Sequence, residues 1–333
     1  MNFNPEQNGS SSPPDVLVAE NLRKSYGPRQ ALQGLTFTLK AGRVMGFLGP
    51  NGAGKTTSIR ILTTMLEPEA GHFIVDGTGS EFPEKIRRKI GVLPENLGFP
   101  RQMTGIEYLT YFGQLYGRTA RNARAHGLSL LEEVGMQQRA KSLIGTYSHG
   151  MKQRIGIARA LVNDPIVAFF DEPTLGLDPR GQQELLTLIQ RIARERGTGV
   201  VLCSHLLSEI EGICDDVIIL SAGQIVAQGP VKDVVGQGQQ NVMRVRVPPE
   251  LVEKTRDILS TVPDVISVLP TGQMGGWLGV NLANPDGASP DHYRMRNKIL
   301  DHLIRFEIPI LSFEADGGRL QDVFLQLTEE AIK

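Results

Sequence analysis

The sequence has few cysteines, little net charge and no long apolar run. Two cysteines among 333 residues are too few for the disulfide framework of a small secreted protein, which favours a reducing compartment. The formal net charge of −1, with no long block of lysine and arginine, gives no reason to expect nucleic acid as a partner. No segment approaches the roughly 18 consecutive apolar residues that indicate a membrane span. If the protein serves a membrane, we expect it to act from outside the bilayer.

The N-terminal segment also lacks the features of a signal peptide. Residues 1–14 have neither an apolar core nor early basic residues. Their asparagine, serine and proline content predicts a disordered tail. The remaining length fits two ordinary domains.

The first predicted domain covers residues 15–236. Short apolar runs alternate there with amphipathic stretches, which is typical of an α/β domain with a largely parallel sheet. Residues 96–162 contain few strand signals, and we expect them to form a helical subdomain on that core. The predicted strands are 43–49, 166–172, 199–205 and 216–229.

The second predicted domain covers residues 242–333. Its predicted elements follow the order strand, helix, strand, strand, helix, strand, which matches a ferredoxin-like α+β arrangement. A last helix is expected to pack against its own domain or, as the alternative, to bind a partner. The apolar face of that helix consists of Leu320, Val323, Phe324 and Leu327.

A glycine-rich loop, "GPNGAGKTT" at residues 49–57, lies between a predicted strand and a predicted helix. Its spacing matches the phosphate-binding pattern G-x-x-x-x-G-K-[ST], in which glycines let backbone N–H groups face phosphate oxygens. We expect Lys55 to neutralise the β- and γ-phosphates, Thr56 to hold Mg²⁺ and Thr57 to add a phosphate contact. The predicted nucleotide-binding residues of the loop are Gly49, Pro50, Asn51, Gly52, Ala53, Gly54, Lys55, Thr56 and Thr57.

Two carboxylates end the apolar strand predicted at 166–172. Asp171 suits a contact to Mg²⁺, and Glu172 is the candidate for polarising the attacking water. His205 ends another apolar strand, where an imidazole can bond the γ-phosphate or the water. A metal site made by Cys203 and His205 is discounted, because no further ligands have suitable spacing.

Residues 148–150, a serine, a histidine and a glycine, precede a helix that is predicted from about Met151. Ser148 suits the N-cap of that helix. The simpler interpretation is a capped helix and no more. The alternative is a second anion site, because a helix N-terminus presents free N–H groups and a positive dipole end.

These motifs together resemble the ATP-binding subunits of ATP-binding-cassette (ABC) transporters, over roughly residues 16–235. The Walker A loop is "GPNGAGKTT", the Walker B strand is "IVAFFDE", the D-loop is "LGLD" at 175–178, and the switch histidine lies in "CSH". "YSHGMKQR" stands where the family has its signature, usually written LSGGQ. The variant is similar to the ATPases of drug, antibiotic, sodium-efflux and gliding-motility exporters, with separate membrane domains and a C-terminal accessory domain.

The resemblance implies further site residues. Tyr26 matches the aromatic that stacks on adenine, and Glu95 occupies the Q-loop position, where glutamine is usual. A carboxylate at this position can still ligate Mg²⁺, but it adds negative charge near the γ-phosphate. Ser148 and the Gly150 N–H are expected to contact the γ-phosphate held by another copy, and Asp178 to report across the interface.

The resemblance also implies a mechanism and partners. Two copies would form a head-to-tail dimer around two ATP molecules with Mg²⁺, and hydrolysis would open the pair. The movement would pass to separate transmembrane permease subunits, with the chain at the cytoplasmic face of the cell membrane. The transported substrate is not encoded in any motif of this sequence.

Two other functions compete with this interpretation. The first is a soluble ATPase of the same fold that is not coupled to transport. Such proteins usually carry two cassettes or a long coiled coil, and the sequence has one GKT loop and no sustained heptads. The second is a nucleotide-binding module that does not hydrolyse ATP, which the presence of Glu172 and His205 disfavours.

Overall fold

The computed structural model describes two compact units. The first extends to Val231, and the second begins at Lys232. No helix within the described part of the chain is both long enough and apolar enough to cross a membrane. The described residues are 13–95, 98–204, 206–237, 242–263, 265–270, 275–282, 291–314, 320–321, 323–324 and 327.

The first unit contains two sheets and the helices that connect their strands. Its strands are β1 (Asp15–Tyr26), β2 (Arg29–Lys40), β3 (Val44–Leu48), β4 (Ala70–Val75), β5 (Thr78–Gly79), β6 (Ile90–Leu93), β7 (Val167–Asp171), β8 (Gly199–Cys203), β9 (Asp216–Ser221) and β10 (Gln224–Pro230). Its helices are α1 (Lys55–Leu62), α2 (Pro83–Lys89), α3 (Gly105–Leu115), α4 (Ala120–Glu133), α5 (His149–Ala160), α6 (Pro179–Arg196) and α7 (Leu207–Ile213). A further helix, α8 (Val231–Gln237), begins at the boundary between the units.

The larger sheet positions the candidate site. Its order is β10-β9-β3-β8-β7-β6, and every neighbouring pair is parallel except β9 with β10. Every residue of β3 and of β8 is buried, which explains why both strands are continuous apolar runs. The loops that follow β3, β7 and β8 therefore meet at one edge of the sheet.

A second, antiparallel sheet was not predicted as such. Its order is β2-β1-β4-β5. Along β2, buried Leu35, Phe37 and Leu39 alternate with exposed Thr36 and Thr38. The Phe37 ring meets the Phe47 ring of β3 edge to face, with centroids 5.3 Å apart, and this contact joins the two sheets.

The strand predicted over 216–229 is two antiparallel strands, β9 and β10. Between them, Ala222 and Gly223 have φ angles of 47° and 81°, which reverse the chain. The prediction was wrong about the turn because only one of its two residues is a glycine.

Residues 98–162 contain α-helices and two short 3-10 helices joined by loops, and no strand lies in this described stretch. The α-helices are α3, α4 and α5. The only isolated β-bridge in this described stretch joins Thr104 and Leu143. Thr104 caps α3 in a reciprocal capping box with Glu107. Buried Tyr147, just before α5, donates its hydroxyl to the Arg139 carbonyl at 2.7 Å. This bond fixes the chain at the entry to α5.

The second unit contains one antiparallel sheet of order β12-β13-β11-β14. The order of elements along the chain is strand, helix, strand, strand, helix, strand, as the sequence predicts. The predicted last helix lies mostly outside the described residues; within it, Leu320 and Val323 are buried. The elements are β11 (Val242–Arg246), α9 (Val252–Ser260), β12 (Val265–Pro270), β13 (Trp277–Leu282), α10 (Asp291–Arg305) and β14 (Ser312–Glu314).

Candidate functional site

The loop between β3 and α1 has the form of an anion cradle. Gly52 and Gly54 adopt φ angles of 81° and 111°, and a Cβ at Gly54 would lie 2.6 Å from the Ala31 carbonyl oxygen. Gly54 is the N-cap of α1; as a glycine it makes no side-chain cap bond to the first N–H groups of the helix, and the first turn carries no acidic residue. Those N–H groups and the positive end of the helix dipole are therefore available to phosphate oxygens.

Lys55 bridges this loop. Its ammonium group donates to the carbonyl oxygens of Gly49 and, at 3.2 Å, Pro50. The same carbonyl of Pro50 accepts the Ala53 N–H at 3.1 Å, which closes the loop as a turn. The cation is thus held beside the backbone that curls around it.

One cleft of about 560 Å³ brings together predicted site residues from four segments of the first unit. The predicted residues that line it are Tyr26, Asn51, Gly52, Gly54, Lys55, Thr56, Thr57, Glu95, Asp171 and Glu172. Three further lining residues were not predicted: Arg29, Ala31 and Leu175. The sheet topology explains this convergence, because β3 and β7 both end at the cleft.

The cleft crowds carboxylates around Asp171. Burial raises the pKa of Asp171, and the nearby charges of Glu172 and Glu95 raise it further, while Lys55 and Arg60 act in the opposite direction. A site of this charge favours a cation. No group of three or more His, Cys, Asp or Glu side chains in the described residues is arranged to hold a metal alone. Mg²⁺ does not need such a group with a nucleotide, because phosphate oxygens and water complete its coordination.

Glu172 has an unusual backbone. Its φ angle is 49°, in the left-handed region that costs a residue with a Cβ about 1–2 kcal/mol. Its N–H donates to the Cys203 carbonyl at 3.0 Å, and its carbonyl accepts the Leu175 N–H at 3.2 Å. These bonds fix the backbone of Glu172, which lines the cleft, against the end of β8.

His205 lies outside the described residues, and the preceding residue, Ser204, is buried. Buried Ser204 donates to the Glu209 carboxylate at 2.6 Å, and buried Thr174 donates to the same oxygen at 2.9 Å. Glu209 is itself buried, and it ties the segment after β7 to the segment after β8. Burial also raises the pKa of the Cys203 thiol well above its ordinary value, which disfavours the thiolate that a metal site needs.

The predicted residues of the signature and of the D-loop lie apart from the cleft. Ser148 is the N-cap of α5 and accepts the Met151 N–H at 3.3 Å, so the helix begins at His149 rather than near Met151. Gly150 therefore lies in the first turn, where N–H groups have no partner within the helix. Asp178 caps α6 by accepting the Gly181 N–H at 3.2 Å. None of these three predicted residues lines the cleft.

Arg29 is a site residue that the motifs do not indicate. It begins β2 and donates from Nη2 to the Gly52 carbonyl at 2.9 Å. A Cβ atom at Gly52 would lie 2.2 Å from Nη2 of Arg29. Its only sequence signal was a basic residue three positions after Tyr26, in a stretch with other basic residues.

The sequence is similar to those of known proteins. The ABC transporter family model matches residues 32–175. A linearmycin resistance ATP-binding protein of Bacillus subtilis is 36% identical over 70% of this chain and 75% of its own length. A doxorubicin resistance ATP-binding protein of Mycobacterium tuberculosis is 32% identical over 95% of this chain and 94% of its own length. The chain belongs to the ABC transporter ATP-binding proteins.

Solved structures agree with this membership. An ATP-binding subunit of an ABC transporter superposes with a TM-score of 0.59 at 30% identity, covering 67% of this chain and 92% of that chain. The ABC ATPase thus binds ATP in a P-loop cassette, and the predicted family, the predicted P-loop fold of the ATPase domain and the predicted ATPase activity are confirmed.

Proposed function

We propose that this ABC ATPase powers export by separate membrane permease subunits. The observation that carries the proposal is the single cleft that joins the Lys55 loop, Asp171 and Glu172. Relatives named for linearmycin and doxorubicin resistance support an efflux role over an ATPase uncoupled from transport. The permease partner would place the chain at the cytoplasmic face of the membrane.

The proposed roles follow the chemistry of each group. Lys55 and the N-terminus of α1 would hold the β- and γ-phosphates, and Tyr26, 48% exposed at the cleft, would stack on adenine. Glu172 would orient and polarise the attacking water, and His205 would bond the γ-phosphate.

The donor set in the cleft suits Mg²⁺. The Thr56 hydroxyl, Asp171 and Glu95 supply oxygen donors, which hard cations prefer. When bound with ATP, Mg²⁺ would neutralise charge on the phosphates. It would also relieve the repulsion from Glu172 and Glu95 that, after burial, raises the pKa of Asp171.

We propose that the complete site forms in a head-to-tail dimer. Ser148 and Gly150 lie at an exposed helix N-terminus that is separate from their own cleft. A second copy would bring its nucleotide to that terminus, and Asp178 would lie at the same interface. Residues 242–333 would form the accessory domain.

The test is Glu172→Gln, which removes the carboxylate and keeps the shape of the side chain. We expect hydrolysis to fall about 10²- to 10⁴-fold while ATP binding persists and a dimer accumulates. Lys55→Ala should instead lose most ATP affinity. Glu67→Gln, the same chemical change at an exposed glutamate outside the cleft, is the matched control. Hydrolysis, equilibrium binding and light scattering are the measurements; an active Glu172→Gln enzyme would remove the assignment of the base.

A further inference from the structure

His149 stands where the family signature usually has a glycine, and its ring has a definite partner. Nε2 lies 2.7 Å from the carbonyl oxygen of Leu175. A carbonyl oxygen only accepts, so Nε2 must carry the proton and donate it. The side-chain nitrogen of Gln153 is also near Nε2, but at 3.5 Å it is a much weaker neighbour.

The segment 175–178 lies against this ring. Gly176 has a φ angle of 77°, and a Cβ there would lie 3.3 Å from His149 Nε2. A Cβ on Gly150 would lie 3.4 Å from the side chain of Leu177. The N-terminus of α5 and the segment 175–178 are therefore in contact over two positions, in addition to the hydrogen bond.

Leu175 connects the ring to the cleft. Its carbonyl accepts from His149, its N–H donates to the Glu172 carbonyl at 3.2 Å, and its side chain lines the cleft. Two hydrogen bonds in series thus run from the signature to the residue proposed as the general base. The positive φ angle of Glu172 makes its position depend on such backbone bonds.

We propose that His149 is a positioning residue that couples the N-terminus of α5 to Glu172 of the same chain through Leu175. The coupling rests on the proposed function, in which residues 148–150 receive the nucleotide of a second copy. When that nucleotide engages α5, the bond from His149 carries the constraint to the chain's own cleft. Occupation of one site in the dimer therefore sets the geometry of the other.

Two variants separate the hydrogen bond from the shape of the ring. His149→Phe keeps a flat ring against Gly176 and removes the donor. His149→Gln removes the ring but places an amide N–H the same number of bonds from the backbone, within reach of the Leu175 carbonyl. His72→Phe, at an exposed histidine of β4 outside the cleft, is the matched control.

Steady-state ATP hydrolysis by the full chain is the first measurement. We expect His149→Phe to lower kcat roughly two- to tenfold, the effect of one neutral hydrogen bond, and to lower the Hill coefficient for ATP. ATP affinity of the isolated chain should not change, because His149 does not line the cleft. His149→Gln should restore both kcat and the Hill coefficient. A role of the ring in packing alone would give the reverse order, and that result would overturn the proposal.

Nitrogen NMR of the nucleotide-free chain tests the hydrogen bond without any turnover. The resonances that disappear in His149→Gln identify the ring, and we expect a protonated Nε2. An unprotonated Nε2 would overturn the proposal whatever the kinetics show. If neither the wild type nor His72→Phe hydrolyses ATP, the proposed function fails, and the NMR result still decides whether the bond to Leu175 exists.

Discussion

Arg29 changes the charge balance of the cleft. Among the residues that line it, Glu95, Asp171 and Glu172 are acidic, and Lys55 alone among the predicted residues is basic. Arg29 supplies a second cation, held over the phosphate loop by its bond to Gly52. An exposed guanidinium at this position suits the negative charge of a nucleotide.

We expect Arg29→Gln to weaken ATP binding about three- to tenfold. The estimate corresponds to roughly 1 kcal/mol, since solvent screens an exposed cation. Arg23→Gln, which removes an exposed arginine of the neighbouring strand, should bind ATP like the wild type. Equilibrium binding at two salt concentrations is the measurement, and the difference between the variants should shrink at high salt. Equal affinity of Arg29→Gln and the wild type would exclude a contact between this guanidinium and the nucleotide.

At the residue scale, the sequence predicted those site residues that belong to a short motif of neighbouring residues. Lys55 belongs to a phosphate-binding loop, and Asp171 and Glu172 belong to a pair of carboxylates at the end of an apolar strand. Arg29 and Glu209 do not belong to such motifs. The partner of Arg29, Gly52, is 23 positions away in the sequence, and Thr174, a partner of Glu209, is 35 positions away. Only the folded chain brings a carbonyl or two hydroxyl groups to them.

At the element scale, an ion network ties helices of the first unit together. Arg196, at the end of α6, makes a two-pronged bond to Glu133 at the end of α4, at 2.8 and 2.6 Å. It also reaches Asp164 at 3.2 Å. The bond to Glu133 is the main reason that the pKa of Arg196 is raised. Because both partners of the main pair are largely buried, removal of one leaves the other poorly solvated.

We expect Arg196→Met to lower the free energy of unfolding by about 1–3 kcal/mol. Methionine keeps an apolar stem but leaves Glu133 without its main partner. Arg180→Met removes an ion pair whose arginine side chain is 88% exposed, and it should change stability by less than about 0.5 kcal/mol. Urea unfolding followed by circular dichroism compares the two variants. Equal losses would mean that the network contributes no more than a surface pair.

Helices and strands could be predicted from the sequence where a single hydrophobic pattern dominated the segment. The continuous apolar runs of β3, β7 and β8 predicted a parallel sheet, and the scarcity of strand signals in residues 96–162 predicted a helical subdomain. The sequence analysis did not predict the antiparallel sheet, although buried and exposed residues alternate along β2. Pairing partners depend on distant contacts that periodicity does not encode.

At the scale of the whole molecule, the proposed site is divided between two copies. The cleft with Lys55 and the helix terminus with Ser148 are separate features of one chain. A head-to-tail pair unites them, whereas a site within one chain would not. Mixing two inactive variants distinguishes these arrangements.

We expect Ser148→Arg and Lys55→Ala to be inactive alone and partly active together. In a mixed head-to-tail dimer, one site combines intact Lys55 with intact Ser148, and the other site carries both changes. Random pairing makes half of the dimers mixed and gives each of these one intact site, so we expect hydrolysis to recover to at most about a quarter of the wild-type level. The measurement is ATPase activity of an equimolar mixture, with each variant mixed with itself as the control. No recovery in the mixture would argue against sites shared between copies.

The raised pKa of Asp171 leads us to expect that Mg²⁺ bound with the nucleotide replaces a proton in the cleft. Because its pKa is raised, Asp171 keeps a proton at pH values where an ordinary aspartate has lost it. Mg²⁺ and that proton compete for the same oxygens, so we expect binding to expel protons and affinity to fall as the pH drops through the raised pKa. Calorimetry in buffers of different ionisation enthalpy counts the protons released, and Glu95→Gln should lower the count at a given pH. At pH values near the raised pKa, loading of the cleft with Mg²⁺ and ATP would therefore release protons to the solvent.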